Sequence, residues 1–216
     1  MEIQEIRTFG RRHGKKISKR QQWLVDNILP ALSPKNIKNT GKIILEIGFG
    51  AGEHIRELAL QNPDKIILGA EPFINGVASL LSSVTVESDN QIKTEFKNIF
   101  IYPDDVRKII KKDSSEFVPI LFSEIYILHP DPWPKARHEK RRLLNSDFLN
   151  LLSERLEKDG RIIIGTDHWE YYEWIIEQLK KTRLKIATTD LSIIDTRYKQ
   201  KNKAKTTNPK YLVLSI

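Results

Sequence analysis

Lys42-Ile43-Ile44-Leu45-Glu46-Ile47-Gly48-Phe49-Gly50-Ala51-Gly52-Glu53 decides the fold of this chain. A short β-branched apolar run ends at a glycine turn, and a helical pattern over Glu53–Gln61 follows it. This predicts strand, tight turn, helix. Outward from this stretch the same alternation continues. Strands are expected at Lys65–Ala70, Asn98–Tyr102, Glu124–Leu128 and Arg161–Thr166, with late strands at Lys185–Asp190 and Tyr211–Ser215. Helices are expected at about Ile74–Ser83, Asp105–Lys112, Arg142–Leu156 and Trp169–Lys181, with an amphipathic helix at Arg20–Leu32 ahead of the first strand. Trp169, Tyr172 and Ile176 share one helix face and are expected in the core. The alternation implies an α/β fold, a parallel sheet covered by helices on both faces.

At 216 residues the chain is expected to form one domain, 21–216, preceded by a flexible basic arm, 1–20, that carries Arg7, Arg11, Arg12, Lys15, Lys16, Lys19 and Arg20. The net charge of +8 points to a polyanionic partner. There is no cysteine, which excludes disulfides and thiolate chemistry, and none of the five histidines forms a His-x-x-x-His pair, so no metal site is expected. No apolar run reaches membrane-spanning length and the N-terminus lacks an apolar signal core, so the expected compartment is the cytoplasm. Whether the chain acts as a monomer or a homodimer is left open.

In parallel α/β sheets ligands bind beyond the carboxyl ends of the strands, and five consecutive strand ends here carry an acid. The first turn reads G-x-G-x-G, with Gly48, Gly50 and Gly52, and Glu53 stands where a dinucleotide fold would have its third glycine. A carboxylate there repels pyrophosphate. Glu46, two residues ahead of the first glycine, suits a ligand with a positive group. Glu71, at the end of the second strand, is placed to accept from ribose hydroxyls, and Asp105 to accept from an adenine amino group. A cationic, ribose-bearing, phosphate-free cofactor fits S-adenosyl-L-methionine.

A second stretch, His129-Pro130-Asp131-Pro132-Trp133-Pro134-Lys135-Ala136-Arg137-His138-Glu139-Lys140-Arg141-Arg142, follows the fourth strand. Proline fixes φ, so Asp131 and Trp133 are expected on a stiff, extended loop. Trp133 is expected to pack this loop against the sheet, with stacking on a base as the alternative, and the cations after it to grip phosphate. No catalytic role is assigned to His129 or His138.

Over most of its length the chain resembles the bacterial tRNA (guanine-N7-)-methyltransferase family. The resemblance rests on Glu46–Gly52, Gly69-Ala70-Glu71, Asn98 with Asp105, Gly165-Thr166-Asp167, and most of all Asp131-Pro132-Trp133-Pro134-Lys135-x-Arg137-His138-x-Lys140-Arg141-Arg142. Arg7-Thr8-Phe9-Gly10-Arg11-Arg12 is similar to the N-terminal arm of some members. The resemblance implies a Rossmann-like, class I methyltransferase fold, mostly parallel and seven-stranded, with an antiparallel last strand. It implies methyl transfer from S-adenosyl-L-methionine to N7 of a guanine in the tRNA variable loop. Glu46, Glu71, Asp105 and Asp131 would then hold the cofactor, with Asp131 also stabilising charge in the reaction. Lys135, Asp167 and the segment from Thr196 would bind substrate, and Arg137, His138, Lys140, Arg141 and Arg142 would contact RNA.

The family's late motif is Thr, a basic residue, an aromatic, then Glu, whereas this chain has Thr196-Arg197-Tyr198-Lys199. A lysine ammonium cannot accept from the guanine edge. Asp167 or the Gln200 carbonyl would have to take that role, or the activity is weakened or altered. The alternatives are a non-enzymatic RNA-binding protein on a methyltransferase fold, or a methyltransferase of another RNA base.

Overall fold

A computed structural model describes residues 8–10, 12–38, 41–88, 91–111, 121–187 and 210–216. In chain order the regular elements are α1 (Lys19–Asn27), β1 (Ile43–Ile47), α2 (Glu53–Gln61), β2 (Ile66–Ala70), α3 (Ile74–Val84), β3 (Thr85–Ser88), β4 (Gln91–Thr94), β5 (Ile99–Tyr102) and α4 (Arg107–Ile110). β6 (Phe122–Leu128), α5 (Ser146–Glu154), β7 (Leu156–Thr166), α6 (Trp169–Leu179), β8 (Lys185–Ile186) and β9 (Lys210–Ser215) complete them. The main sheet has seven strands in the order β5-β2-β1-β6-β7-β9-β8. β5, β2, β1, β6 and β7 pair in parallel, and β9 runs antiparallel to β7 and to β8. The order reverses between β1 and β6, and ligands of open α/β sheets bind beyond such a reversal.

Alternation along each strand divides the core in two. Leu45 and Ile47 join Ile125, Ile127, Ile162 and Ile164 beneath α5 and α6. Ile44 joins Ile67, Tyr126 and Ile163 beneath α1, α2 and α3. β1 and β2 are buried on both faces, which is why they read as unbroken apolar runs. Each fully buried aliphatic side chain stabilises the fold by roughly 1.5–3 kcal/mol.

Several elements depart from the sequence reading. The helix expected at Arg142–Leu156 is shorter, α5 at Ser146–Glu154, because the Asn145 side chain accepts from Phe148 N–H and sets its start; a 3₁₀ turn at Ala136–Arg141 precedes it. The helix expected from Asp105 spans only Arg107–Ile110. α1 is closed at its start by a capping box between Ser18 and Gln21 and gives way to a 3₁₀ turn at Leu29–Leu32, where Pro30 has no N–H. The hairpin β3–β4 was not anticipated. The core face of α6 is Tyr171, Ile175 and Leu179. Tyr172 and Ile176 are only partly buried beside it, and Trp169 is 55% exposed, its ring stacked on Tyr172 at 5.6 Å. Two apolar stripes run along this helix, and periodicity does not choose between them. Among the described residues no helix is long and apolar enough to cross a membrane, and no cluster of acids and histidines is placed to hold a metal ion.

Candidate active site

The carboxyl ends of β1, β2, β5 and β6 open on a cleft of about 260 Å³. Gly48, Glu71, Asp105, His129, Asp131, Trp133, Lys140, Arg141 and Arg142 line it, with Thr8, Phe9 and Gly10 across its mouth. The glycine turn is shaped by left-handed backbone at Gly48 (φ 76°) and Gly50 (φ 59°). A side chain added at either glycine would meet nothing within 4 Å, so the space above the turn is open. Glu71 holds the turn from the neighbouring strand. Its Oε2 accepts from Gly50 N–H and its Oε1 from Phe73 N–H, each at 2.8 Å. Each oxygen keeps a second lone pair for a ligand. Burial raises the Glu71 pKa above the usual carboxylate range, the two backbone bonds oppose this, and the charges of Glu46 and Asp131 add to it. Three carboxylates thus share one field in a chain of net charge +8.

Gly76 lets this turn approach α3. A Cβ there would lie 2.3 Å from the Gly50 carbonyl oxygen. Gly76→Ala is expected to cost roughly 1–3 kcal/mol of stability and to displace the turn. Thermal unfolding and cofactor titration of the variant check this, with both midpoint and affinity falling.

Glu46 is 3% exposed and lies beneath the turn, on the α2 face of the sheet. Gly52 is the cap residue at the start of α2. Asp105 is buried and already engaged. Its oxygens accept from Arg107 N–H, Nε and Nη2 and from the Thr8 hydroxyl, at 2.6–3.0 Å. Despite the opposing cost of burial, bonding to Arg107 and then Thr8 holds its carboxyl below the usual range. Where the sequence reading expected an acceptor open to adenine, the structure places four donors on the oxygens of Asp105. Asn98, part of the motif set, lies at the opposite end of the sheet, where its amide donates to the carbonyls of Ala59, Asn62 and Lys65.

The segment expected as a flexible arm is tied down where it is described. Arg12 pairs with Asp104 at 3.2 Å, Gly14 N–H donates to Asn75 Oδ1, and the Asn75 amide donates to the Lys15 carbonyl. Residues 1–7 and 11 lie outside the described residues. The sequence reading missed Thr8, Phe9 and Gly10 as cleft residues. The only signal for them was the similarity of Arg7–Arg12 to a family arm.

The proline loop that carries Asp131 is strained as well as stiff. His129 and Trp133 have φ of 53° and 45°, uncommon for residues with side chains. His129 N–H donates to the Gly165 carbonyl and anchors the loop to β7. Arg142 secures the other end. It is 4% exposed, its Nε donates to the Pro132 carbonyl at 2.9 Å and its Nη2 reaches the Trp133 carbonyl at 3.4 Å. Its guanidinium lies over Tyr171 and Trp174 and pairs with Glu139 at 3.5 Å. Placing Arg142 among the RNA-contacting cations is therefore corrected: it faces inward and braces the loop.

Lys135, Arg137 and Lys140 are exposed around the loop. Arg141 lies between the rings of Phe9 and Trp133, at 5.6 and 5.0 Å. His138 packs edge-on against Trp133, so that ring braces its own loop and lines the cleft. Local desolvation, then the charges of Arg141, Arg137 and Lys135, hold His138 below the ordinary histidine range. It stays neutral among cations at neutral pH. Asp167 stands at the end of β7, 3.9 Å from His129 Nδ1. Burial lowers the His129 pKa, and Asp167 opposes that. Thr196, Arg197, Tyr198 and Lys199 lie outside the described residues.

S-adenosyl-L-methionine fits this donor set. The open cradle above Gly48 and Gly50 admits a ligand close to backbone, and the cleft presents carboxylates suited to hydroxyls and cations.

Residues 40–211 match a family model described as "Putative methyltransferase". The chain is 35% identical to the tRNA (guanine-N(7)-)-methyltransferase of Neorickettsia sennetsu, over 87% of this chain and 81% of that one. It is 38% identical to the enzyme of the same name from Wolbachia pipientis wMel, over 73% and 70%. A solved antibiotic-related methyltransferase superposes with a TM-score of 0.57 at 12% identity, covering 93% of this chain and 96% of that one, which shows the fold alone. On the extent of these matches, and with the glycine turn, Glu71 and the Asp131 loop around one cleft, the chain belongs to the tRNA (guanine-N(7)-)-methyltransferase family.

Proposed function

We propose that this chain transfers a methyl group from S-adenosyl-L-methionine to N7 of a guanine in the variable loop of tRNA. The observation that carries this reading is the shared cleft wall. Asp131 stands on a braced loop opposite the glycine turn, and exposed Lys135, Arg137 and Lys140 rim the same loop. An acidic pocket under a basic rim suits a cationic cofactor beside a polyanion.

When bound, the cofactor supplies a methyl group on a sulfonium, which the guanine N7 lone pair takes as the carbon–sulfur electron pair returns to sulfur. The chain needs no general base, because N7 carries its lone pair already. Glu71 and the turn at Gly48 and Gly50 hold the cofactor, with Glu46 beneath them. Asp131 orients the reacting groups and stabilises the positive charge that develops on the purine. Asp167 and Lys135 hold the guanine nucleotide, and Arg137, Lys140 and Arg141 grip phosphate.

Incubation with tRNA and methyl-labelled cofactor, followed by nucleoside analysis, tests the reaction. 7-Methylguanosine is the expected product; another methylated base, or none, overturns the proposal. Binding is expected to be salt-sensitive. If the rim and the basic segments neutralise about six phosphates, the log–log slope of affinity against salt is roughly −4 to −5. Filter binding across a salt series measures it, and a flat response removes the electrostatic grip.

A further inference from the structure

His54 has no part in the chemistry above, yet it lies against Glu46, the most buried acid of the site. Alternation along β1 turns Glu46 to the α2 face, and the register sets it beside Tyr126 of β6. His54, the second residue of α2, brings its Nδ1 to 3.2 Å from Glu46 Oε2. Both atoms are buried, and neither has a hydrogen-bonding partner: they meet at contact distance but outside hydrogen-bond geometry. Behind them a polar track crosses an otherwise apolar layer. The His54 ring lies 5.1 Å from the Tyr126 ring, and the Tyr126 hydroxyl donates to Glu124 Oε2 at 2.7 Å. Glu124 in turn pairs with Lys65 and Arg161, at 3.5 and 3.4 Å.

We infer that His54 is a positioning residue for cofactor binding: a small rotation of its ring lets Nδ1–H donate to the facing Glu46 Oε2 and fix that carboxylate under the glycine turn. A buried carboxylate oxygen without a donor is costly, and it turns or shifts to find one. Rotation of Glu46 moves the floor beneath Gly48 and Gly50. The arrangement supplies the donor from the helix that the turn itself starts, so turn and carboxylate are set together. This rests on the reading that Glu46 serves the cofactor site. The plain alternative is that the imidazole only fills space against Tyr126.

Four variants separate these, read by calorimetric titration of S-adenosyl-L-methionine, tRNA binding and thermal unfolding. His54→Phe keeps a ring on Tyr126 and removes the donor. It is expected to weaken cofactor binding roughly 10-fold or more, the scale of a lost hydrogen bond to a charged group, with tRNA affinity unchanged. His54→Asn returns a donor at the same branch position and is expected to recover affinity to within about threefold. Glu46→Gln combined with His54→Phe is expected to bind no worse than Glu46→Gln alone, because the two residues act as one unit. Should His54→Phe fail to fold, that comparison still decides, since the double variant has no buried charge to satisfy. Wild-type affinity in His54→Phe, equal losses in His54→Asn and His54→Phe, or additive losses in the double variant would overturn the inference. Unchanged affinity in Glu46→Gln alone would instead overturn the cofactor role of Glu46.

Discussion

Asp131→Asn is expected to lower the single-turnover rate of guanine methylation by about 10²-fold or more, the scale of a lost transition-state partner. The purine turns cationic as its N7 takes the methyl group. A carboxylate about 4 Å away, at an effective dielectric near 20, stabilises that charge by roughly 4 kcal/mol before desolvation is counted against it. Asparagine keeps the shape and removes the charge. The loop should stay in place, because Arg142 braces it through the backbone carbonyls of Pro132 and Trp133. Thermal stability and tRNA affinity should therefore stay near wild type while the rate falls. Rapid-quench methylation with enzyme in excess measures the chemical step directly. A near-normal rate would remove Asp131 from the reaction and leave it a positioning role at most.

Arg142→Met is expected to damage both stability and rate while leaving the salt dependence of tRNA binding unchanged. The thioether fills a similar volume but donates nothing. Two carbonyls flanking the strained Trp133 lose their donor, and two aromatic rings lose a cation. Together these are worth roughly 2–4 kcal/mol. At about 2–4 °C per kcal/mol for a domain of this size, the unfolding midpoint should drop by ~5–15 °C. Methylation should fall further than stability alone explains, because a displacement of about 1 Å in a reacting group can cost 10²-fold. Arg142→Lys should rescue little, since an ammonium lacks the planar fork. The salt slope is the discriminating readout. An arginine on phosphate would take about 0.9 from that slope when removed, as is expected for Arg137→Ala or Lys140→Ala. A reduced slope with an unchanged midpoint would return Arg142 to the RNA-facing set.

Much of the fold was legible because its signals are local. α2 spans Glu53–Gln61 as its pattern predicts, and β1 and β2 fall within one residue of their apolar runs. The β3–β4 hairpin was not legible. Its strands are short and mostly exposed, so no buried face imposed an apolar alternation. Of the site, the glycine turn and the acids at the strand ends could be named in advance. A turn needs particular φ values, and a strand end in a parallel sheet opens on a ligand cleft.

The sequence by itself determined the turn at Gly48–Gly52, the alternation of main-sheet strands with helices, and the identity of Glu71 and Asp131 as cleft acids. These follow from backbone freedom and hydrophobic period, which are properties of neighbouring residues. Only the tertiary structure decided which polar groups face inward and what satisfies them. Arg142 ends a basic run yet is buried under Tyr171 and Trp174. Asp105 is claimed by Arg107 and by Thr8, a residue 97 positions away. Glu46 meets His54 beneath the turn rather than the open cleft. The physical reason is common to all three. The cost of a charge depends on what covers it, and the donors that offset that cost come from elements brought together only by packing.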